Sequence, residues 1–321
     1  MKKTQAQDTA CPAMIRIGTR ASQLAVAQAV EVKNRILGAF PQLTQDQIEL
    51  VKITTTGDKI QDRHLAEIGG KGLFTKEIEE ALQADRIDLA VHSMKDMPDI
   101  LPDGMEIFCV LEREDPRDAF LSPVAGGLEA LPKGATVGTS STRRQSQLLK
   151  IRPDLKIIPF RGNVNTRLRK LREGQVDATL LAVAGLRRLD MQEEITAILE
   201  PDVMLPAVCQ GTIGIEIMSR NDHLKGVLTA INHERTAIRT RAERAFLHAM
   251  GGSCTTPMAG YAWYDEARTL HFAGLIAAPD GTEYFAASRQ GTSEDAAAMG
   301  SEVGEELRSK GRHILETGWK S

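Results

Sequence analysis

Short apolar runs alternate with amphipathic stretches through the first third of the chain. Residues 14–19 (MIRIGT), 48–53 (IELVKI) and 87–93 (IDLAVHS) each have the length and apolar content of a strand. Apolar residues at helical spacing occupy 22–37 and 74–85. Strands that alternate with helices predict βαβ units and a mainly parallel sheet.

A second unit of similar size repeats this alternation after the segment EREDPRDAFLS. Its predicted elements are, in order, a strand (135–141), a helix (142–151), a strand (156–160), a helix (163–174) and a strand (177–183). Residues 113–118, which combine a proline with charges, are the predicted crossing between the two units. Residues 205–217 supply a strand that could return to the first unit.

The last third of the chain has a different pattern. A long helical region from about residue 221 to 250 precedes three strand-like segments, MAGYAWY, TLHFAGLIAA and TEYFAASRQG, and a helix at 293–315. This order predicts a small antiparallel sheet with a helix against it, as a third domain. The fold class is therefore α/β, with two α/β units and a small α+β domain.

Composition narrows the function classes. The 321 residues are 42% hydrophobic and 26% charged, with a net charge of -3, which is typical of a soluble globular protein without a global attraction to nucleic acid. We find no secretory signal and no apolar run of bilayer length. The four cysteines are far apart and form no CxxC pair, which argues against a zinc site or a disulfide scaffold and favours a reducing cytoplasm.

Basic residues gather at 139–172, where ten of them accompany a single acidic residue, Asp154. A solvated helix face would explain the count alone. However, Ser141, Arg143 and Arg144 follow a strand and begin a helix, and Arg161 follows the next strand, which are positions where anions bind in open α/β sheets. Aromatic residues are only 4% of the chain, so a small carboxylate-rich ligand fits better than nucleic acid.

The first unit offers a matching set of strand-end residues. GTRAS places Arg20 and Ser22 at a strand-to-helix junction, where Ser22 could cap the helix. AVHSMKDMP ends a buried strand with His92, Ser93, Lys95 and Asp96. Asp96 is either an ordinary turn residue or a carboxylate that stabilises a transient cation or moves a proton in a cationic cleft. For His92 we favour a structural role over that of a base.

Nine motifs carry a resemblance that covers roughly residues 14 to 315. They are, in chain order, GTRAS, GGKGLFTKEIE, AVHSMKDMP, EREDPRDAF, GTSSTRRQSQL, RGNVNTRL, LAVAGLRRL, LPAVCQGTIGIE and GGSCTTP. In this set and order the chain resembles the porphobilinogen deaminase (hydroxymethylbilane synthase) family. The resemblance implies two lobes like those of type II periplasmic binding proteins and a third domain that carries a cysteine.

The resemblance also implies a reaction and a cofactor. Four porphobilinogen units would be added, each with loss of ammonia, to a dipyrromethane primer bound through a thioether to Cys254, and hydrolysis would release the linear tetrapyrrole. Asp96 would be the catalytic carboxylate beside the electron-poor species formed on deamination. The cofactor's carboxylates would be held by Ser93, Lys95, Ser141, Arg143, Arg144 and Arg167. Incoming substrate and the growing chain would be bound by Arg20, Ser22, Lys71, Arg161 and Arg188.

Domain limits and partners follow as further expectations. Lobe 1 is expected at 14–112 and 211–232, lobe 2 at 117–206, and the C-terminal domain at 233–321. The expected protein is a cytoplasmic monomer without a metal ion and without nucleic-acid or membrane partners.

Three positions depart from the family's pattern, and the main rival function is non-catalytic. Glu67, Ser253 and Cys209 stand where relatives often have lysine, glycine and glycine, and Cys254 remains strongly preferred over Cys209 as the anchor. The rival is a two-lobed carboxylate-binding module, although a receptor would need a secretory signal and a transcription regulator a helix-turn-helix segment.

Overall fold

The computed structural model describes residues 14–59, 74–251 and 257–317. The strands in these ranges are β1 (Ile15–Arg20), β2 (Ile48–Ile53), β3 (Leu89–Ser93), β4 (Met105–Val110), β5 (Asp118–Leu121), β6 (Thr136–Gly138), β7 (Lys156–Ile158), β8 (Ala178–Ala182), β9 (Ala197–Leu199), β10 (Ile213–Met218), β11 (Met258–Tyr264), β12 (Leu270–Ala277) and β13 (Tyr284–Gly291). The helices are α1 (Gln23–Ala39), α2 (Thr56–Lys59), α3 (Lys76–Gln83), α4 (Thr142–Ile151), α5 (Val164–Arg172), α6 (Val183–Arg188), α7 (Asp222–Thr229), α8 (Glu234–Ala249), α9 (Ala296–Lys310) and α10 (Arg312–Thr317).

The first two sheets share one plan. The first has the strand order β2-β1-β3-β10-β4 and the second has the order β7-β6-β8-β5-β9. In each, three parallel neighbours are followed by a strand that runs antiparallel to both of its neighbours: β10 in the first sheet and β5 in the second. The prediction that the strand within 205–217 returns to the first unit is confirmed.

The third sheet is an antiparallel meander in the order β11-β12-β13. Phe246 of α8 is fully buried against Phe272 of β12, with ring centroids 5.3 Å apart, and α9 adds Val303 and Leu307 to the same core. The α/β fold class with a C-terminal three-stranded sheet is therefore confirmed.

The long helical region predicted near 221–250 is two helices, α7 and α8. Between them, Asn232 Oδ1 accepts a hydrogen bond from the Val110 backbone N–H at 3.0 Å, and the His233 N–H donates to the Val110 carbonyl at 2.9 Å. These bonds hold the segment against the end of β4, so the chain leaves the helical path there and starts α8 in a new direction.

Candidate active site

The ends of β1 and β3 bring Arg20 and Ser93 to one edge of the first sheet. Ser22 caps α1, with its hydroxyl accepting from the Ala25 N–H at 3.3 Å, as predicted. The Arg20 guanidinium lies 4.2 Å from the centroid of the Phe74 ring, which precedes α3 rather than lying within it. Such a cation–π contact orients the Arg20 guanidinium at the edge of the sheet.

Asp96 lies in a short 3₁₀ turn, Met94–Asp96, directly after β3. It is the one acidic residue among the described residues that line a small cavity, whose walls are Arg20, Ala25, Gln28, Phe74, Thr75, Val91, His92, Ser93 and Met97. The Gln28 amide exchanges hydrogen bonds with the Ser93 hydroxyl, at 2.9 Å from Nε2 to Oγ and 3.1 Å from Oγ to Oε1. The sequence analysis did not identify Gln28. A glutamine on the apolar face of α1 could have indicated a polar contact at this position.

Lys95, next to Asp96, links the first sheet to the second electrostatically. Its side chain is exposed within the space between the two sheets, yet the protein around it displaces enough bulk water to lower its pKa to about 8. Asp96 and Asp118 oppose that change, while Arg144 and Arg143 add to it. We call this space, in which Lys95 and Asp96 meet arginines of the second sheet, the cleft.

Arg143 and Arg144 begin α4, with Ser141 as the N-cap, whose hydroxyl accepts from the Arg144 N–H at 3.4 Å. Both arginines are buried, at 5% and 6% exposure, around the carboxylate of Asp118. Arg144 donates to Asp118 Oδ1 through Nε at 3.1 Å and Nη2 at 2.5 Å, and Arg143 Nη1 lies 2.8 Å from Oδ2. The two arginines keep the pKa of Asp118 below its usual range, against the cost of burial.

Asp118 is a site residue that sequence reasoning missed, although the motif EREDPRDAF contains it. It is fully buried, and Gln210 Nε2 also donates to it at 3.1 Å. One carboxylate thus balances two arginines, and the pair retains a net positive charge.

Arg167 adds to that charge from α5. Its Nε donates to the Gly162 carbonyl at 2.8 Å. Its pKa falls to about 10, chiefly because of burial and then because of Arg144 and Arg161, while Asp96 opposes the change. Arg167 therefore interacts electrostatically with Arg144 and Arg161 of the second unit and with Asp96 of the first unit.

The charges of the cleft do not cancel. Five cations (Lys95, Arg143, Arg144, Arg161 and Arg167) accompany two carboxylates (Asp96 and Asp118) in the described part of the site. Two of these cations, Arg143 and Arg144, are buried, and a surplus of positive charge in a partly desolvated site is costly unless an anionic group offsets it. The donor set therefore fits a ligand with several carboxylates.

Arg188 has a different position from the other predicted arginines. Its Nε donates to Glu31 Oε2 of α1 at 3.0 Å, and its Nη2 donates to the Gly211 carbonyl at 3.1 Å. Its side chain is 9% exposed. Arg188 thus joins the second unit to the first, and its role in substrate binding stays a prediction.

Cys254 and Lys71 lie outside the described residues, as do Glu67 and Ser253. The helix that precedes residue 254 in the chain, α8, contacts the segment after Asp96: Arg244 donates to the carbonyls of Pro98 and Asp99, at 2.9 and 2.7 Å. The third domain is therefore bonded directly to the continuation of the Asp96 turn.

The two described cysteines, Cys109 and Cys209, are buried and free. Burial raises the pKa of Cys109 to about 12 and raises that of Cys209 further. Neither thiol forms a thiolate near neutral pH, so neither has the chemistry of an anchor.

Two family models cover most of the chain. Residues 15–226 match the porphobilinogen deaminase, dipyromethane cofactor binding domain, and residues 237–309 match the porphobilinogen deaminase, C-terminal domain. The chain belongs to the porphobilinogen deaminase family. It is accordingly a transferase with a dipyrromethane cofactor domain, and the surplus of cations in the cleft fits that cofactor's carboxylates.

Porphobilinogen deaminases from three organisms are similar in sequence to this chain over nearly its full length. The porphobilinogen deaminase of Paracoccus denitrificans is 52% identical over 96% of this chain and 97% of its own, and that of Nitrobacter winogradskyi is 52% identical over 92% of each. The chloroplastic porphobilinogen deaminase of Oryza sativa is 50% identical over 95% of this chain and 86% of its own.

Solved structures of binding proteins are more distant. A periplasmic substrate-binding protein of Coxiella burnetii is 13% identical over 70% of this chain and 94% of its own, with a TM-score of 0.43. The methionine binding protein MetQ is 14% identical over 70% and 93%, also with a TM-score of 0.43. Within the described residues, no helix is long and apolar enough to cross a membrane.

Proposed function

We propose that this transferase joins four porphobilinogen molecules head to tail in the cleft and then releases the linear tetrapyrrole hydroxymethylbilane by hydrolysis. Each addition forms one carbon–carbon bond, breaks the carbon–nitrogen bond of a protonated aminomethyl group, and releases ammonia and a proton. The dipyrromethane cofactor, bound through a thioether to Cys254, supplies the ring carbon on which the chain is built. The observation that carries this proposal is the carboxylate of Asp96, which lines the small cavity beside the cations of the cleft.

Asp96 would stabilise the cation that the substrate becomes when ammonia leaves. Its carboxylate has no hydrogen bond or ion pair with another described side chain, so it is available to a ligand. Asp96 interacts electrostatically with Lys95 and with Arg167. A charge held in place before the reaction costs no reorganisation when the cation forms, which is the main advantage of a protein site over water.

The cations of the cleft would hold the cofactor's acetate and propionate groups. Arg143 uses Nη1 for the Leu205 carbonyl, at 2.9 Å, and a guanidinium has five N–H donors, so others remain for a carboxylate. A carboxylate near Lys95 would restore its pKa toward the ordinary value. Ser93, Ser141 and Arg167 complete this proposed set.

The incoming substrate would meet a second group of residues at the edge of the cavity. Arg20 is held there over Phe74, and Arg161 follows β7 on the opposite sheet. Together with Ser22, Lys71 and Arg188, they would bind the carboxylates of porphobilinogen and of the growing chain.

Organisation and location are part of the same proposal. The lobes would comprise 14–112 with 211–232 and 117–206, and residues 233–321 would form the domain that presents Cys254. The protein would act as a monomer without nucleic acid in the cytoplasm, and a reducing compartment agrees with the free, buried state of the two described cysteines.

Intact-mass spectrometry of the active protein tests the proposal. We expect a mass above that of the chain by one two-pyrrole adduct, together with turnover of porphobilinogen. Cys254→Ser should remove both, whereas Cys209→Ala, the matched control, should keep both. Turnover by a protein with the bare-chain mass, or an adduct that survives in Cys254→Ser, would overturn the anchor assignment.

A further inference from the structure

The face of the first sheet that α3 covers carries a buried polar group behind the Asp96 cavity. His92 on β3 and Glu216 on β10 lie on adjacent antiparallel strands, and His92 Nε2 is 3.0 Å from Glu216 Oε2. Their side chains are 4% and 0% exposed. The 124 positions between them explain why sequence reasoning found no partner for His92.

A second carboxyl group, that of Glu79, reaches this pair from α3. Burial raises the pKa of Glu79, the nearby Thr75 hydroxyl lowers it, and Glu216 raises it further, with His92 opposing. Glu79 Oε1 and Glu216 Oε1 are both buried and have no hydrogen-bond partner among the described residues. We call His92, Glu216 and Glu79 the buried triad.

This arrangement is more than a structural histidine requires. One acceptor satisfies a buried imidazole, and a second carboxyl group placed beside the first costs free energy through repulsion and lost solvation. The carboxylate of Glu216, at hydrogen-bond distance from the imidazole, is placed to stabilise a positive charge on the His92 ring.

The triad also borders the proposed reaction site. His92 lines the same cavity as Asp96, Arg20 and Ser93, and its Nδ1 makes no hydrogen bond with a described residue. The charged groups that face it are Glu216 from β10, Glu79 from α3, and Arg20 and Asp96 from the cavity. A proton released in the cavity thus meets a base that is backed by two carboxyl groups.

We propose that His92, supported by Glu216 and Glu79, accepts the proton that each condensation releases. This inference rests on the proposed function. After the carbon–carbon bond forms and ammonia leaves, the accepting ring carbon loses its hydrogen as a proton, and the C–H electron pair restores the aromatic ring. The proton passes across the cavity to His92, and the carboxylate of Glu216 stabilises the imidazolium that results.

The pH dependence of kcat distinguishes this role from a structural one. Glu216→Gln removes the anion beside the imidazolium, so the pKa of His92 should fall, and the acid limb of the profile should move to lower pH with a smaller maximum. Glu79→Gln should move the limb in the same direction by less, while leaving the His92–Glu216 hydrogen bond in place. Glu80→Gln, an exposed neighbour on α3, is the matched control and should not move it.

Histidine NMR supplies a readout that does not depend on turnover. With ¹³C-labelled histidine, the His92 signal is identified by its loss in His92→Asn, and its titration midpoint should be lower in Glu216→Gln than in the unaltered protein. Should Glu216→Gln fail to fold, the same comparison is made with Glu79→Gln. Equal midpoints, or an acid limb unchanged in a folded variant that carries the adduct, would overturn the proposal.

The two readouts separate this inference from the proposed function. A midpoint that responds to Glu216 in a protein that does not consume porphobilinogen would reject the proposed function. If the unaltered protein turns over porphobilinogen normally and the acid limb is unchanged in Glu216→Gln and in Glu79→Gln, the role of the triad is rejected. The proposed function is then retained. His92→Asn should lower kcat by roughly 10²-fold, the lower end of what a positioned base contributes.

Discussion

Arg144 places two of its nitrogens on the same carboxylate oxygen of Asp118, with Nε at 3.1 Å and Nη2 at 2.5 Å from Oδ1. Arg143 lies against the other oxygen, at 2.8 Å. This buried three-residue group supports the start of α4, so its charge balance decides both the stability of the second lobe and the direction of the two guanidinium groups.

Asp118→Asn should destabilise the protein strongly. Loss of the carboxylate leaves two buried guanidinium groups without an anion, and removal of one partner of a buried ion pair costs about 3–5 kcal/mol of unfolding free energy. Urea denaturation measures this. Because the pKa of Asp118 lies below its ordinary 3.8, its stabilisation is complete above that pH and is lost only as the pH falls below it.

The matched control for that experiment is Asp154→Asn. Asp154 pairs with Arg152 at 2.8 Å on the surface of the same lobe, where solvent screens the interaction, so the loss should be much smaller. Equal losses in the two variants would show that burial of Asp118 does not set its contribution.

Asp96→Asn should nearly abolish turnover and leave the adduct in place. The amide keeps the size of the side chain but cannot stabilise a cation, and loss of one such electrostatic contact costs about 10²–10³-fold in kcat. Asp103→Asn, on the exposed loop before β4, should keep normal rates. Near-normal turnover in Asp96→Asn would exclude its catalytic role.

Lys95 should limit the uptake of the cofactor at alkaline pH. With a pKa near 8, lowered from 10.5 because the surrounding protein displaces bulk water, Lys95 is charged below about pH 8 and loses its charge as the pH rises through that value. The rate at which protein freed of its adduct acquires a new one from porphobilinogen, followed by intact mass, should fall over the same interval. Lys95→Arg should move the fall to higher pH because arginine stays charged.

For the Lys95 experiment, Lys133→Arg serves as the control, since Lys133 is exposed on a loop of the second lobe. An alkaline limit that is the same in Lys95→Arg and the unaltered protein would assign the limit to another group.

The contact between Arg188 and Glu31 should couple the two lobes. A double-mutant cycle with Arg188→Lys and Glu31→Gln, measured by urea denaturation, should give an interaction free energy of about 1 kcal/mol. If Arg188 also binds substrate, as proposed, Arg188→Lys raises KM while Glu31→Gln leaves it unchanged. A rise of KM in both variants would instead mean that the contact acts only by holding the lobes together.

Signals between near neighbours in the chain were enough to predict many of the elements. Ser22 and Ser141 cap the helices that follow them, and α4 begins and ends at the residues that the pattern indicated. Capping and amphipathic spacing involve residues three or four positions apart, so these features can be predicted from the sequence. Strand-end positions in the sequence likewise indicate Arg20, Asp96 and Arg143 as candidate site residues.

What the sequence determined by itself is the alternation of elements, the three-sheet architecture and, through its motifs, the family. The tertiary structure alone decided which charges meet: Asp118 with Arg144, Ser93 with Gln28, and His92 with Glu216. Each of these pairs joins elements that are remote in the chain and become neighbours only when strands pair or a helix packs on a sheet. The energy of such a pair depends on burial and on distance in space, and neither quantity is a property of a local stretch of sequence.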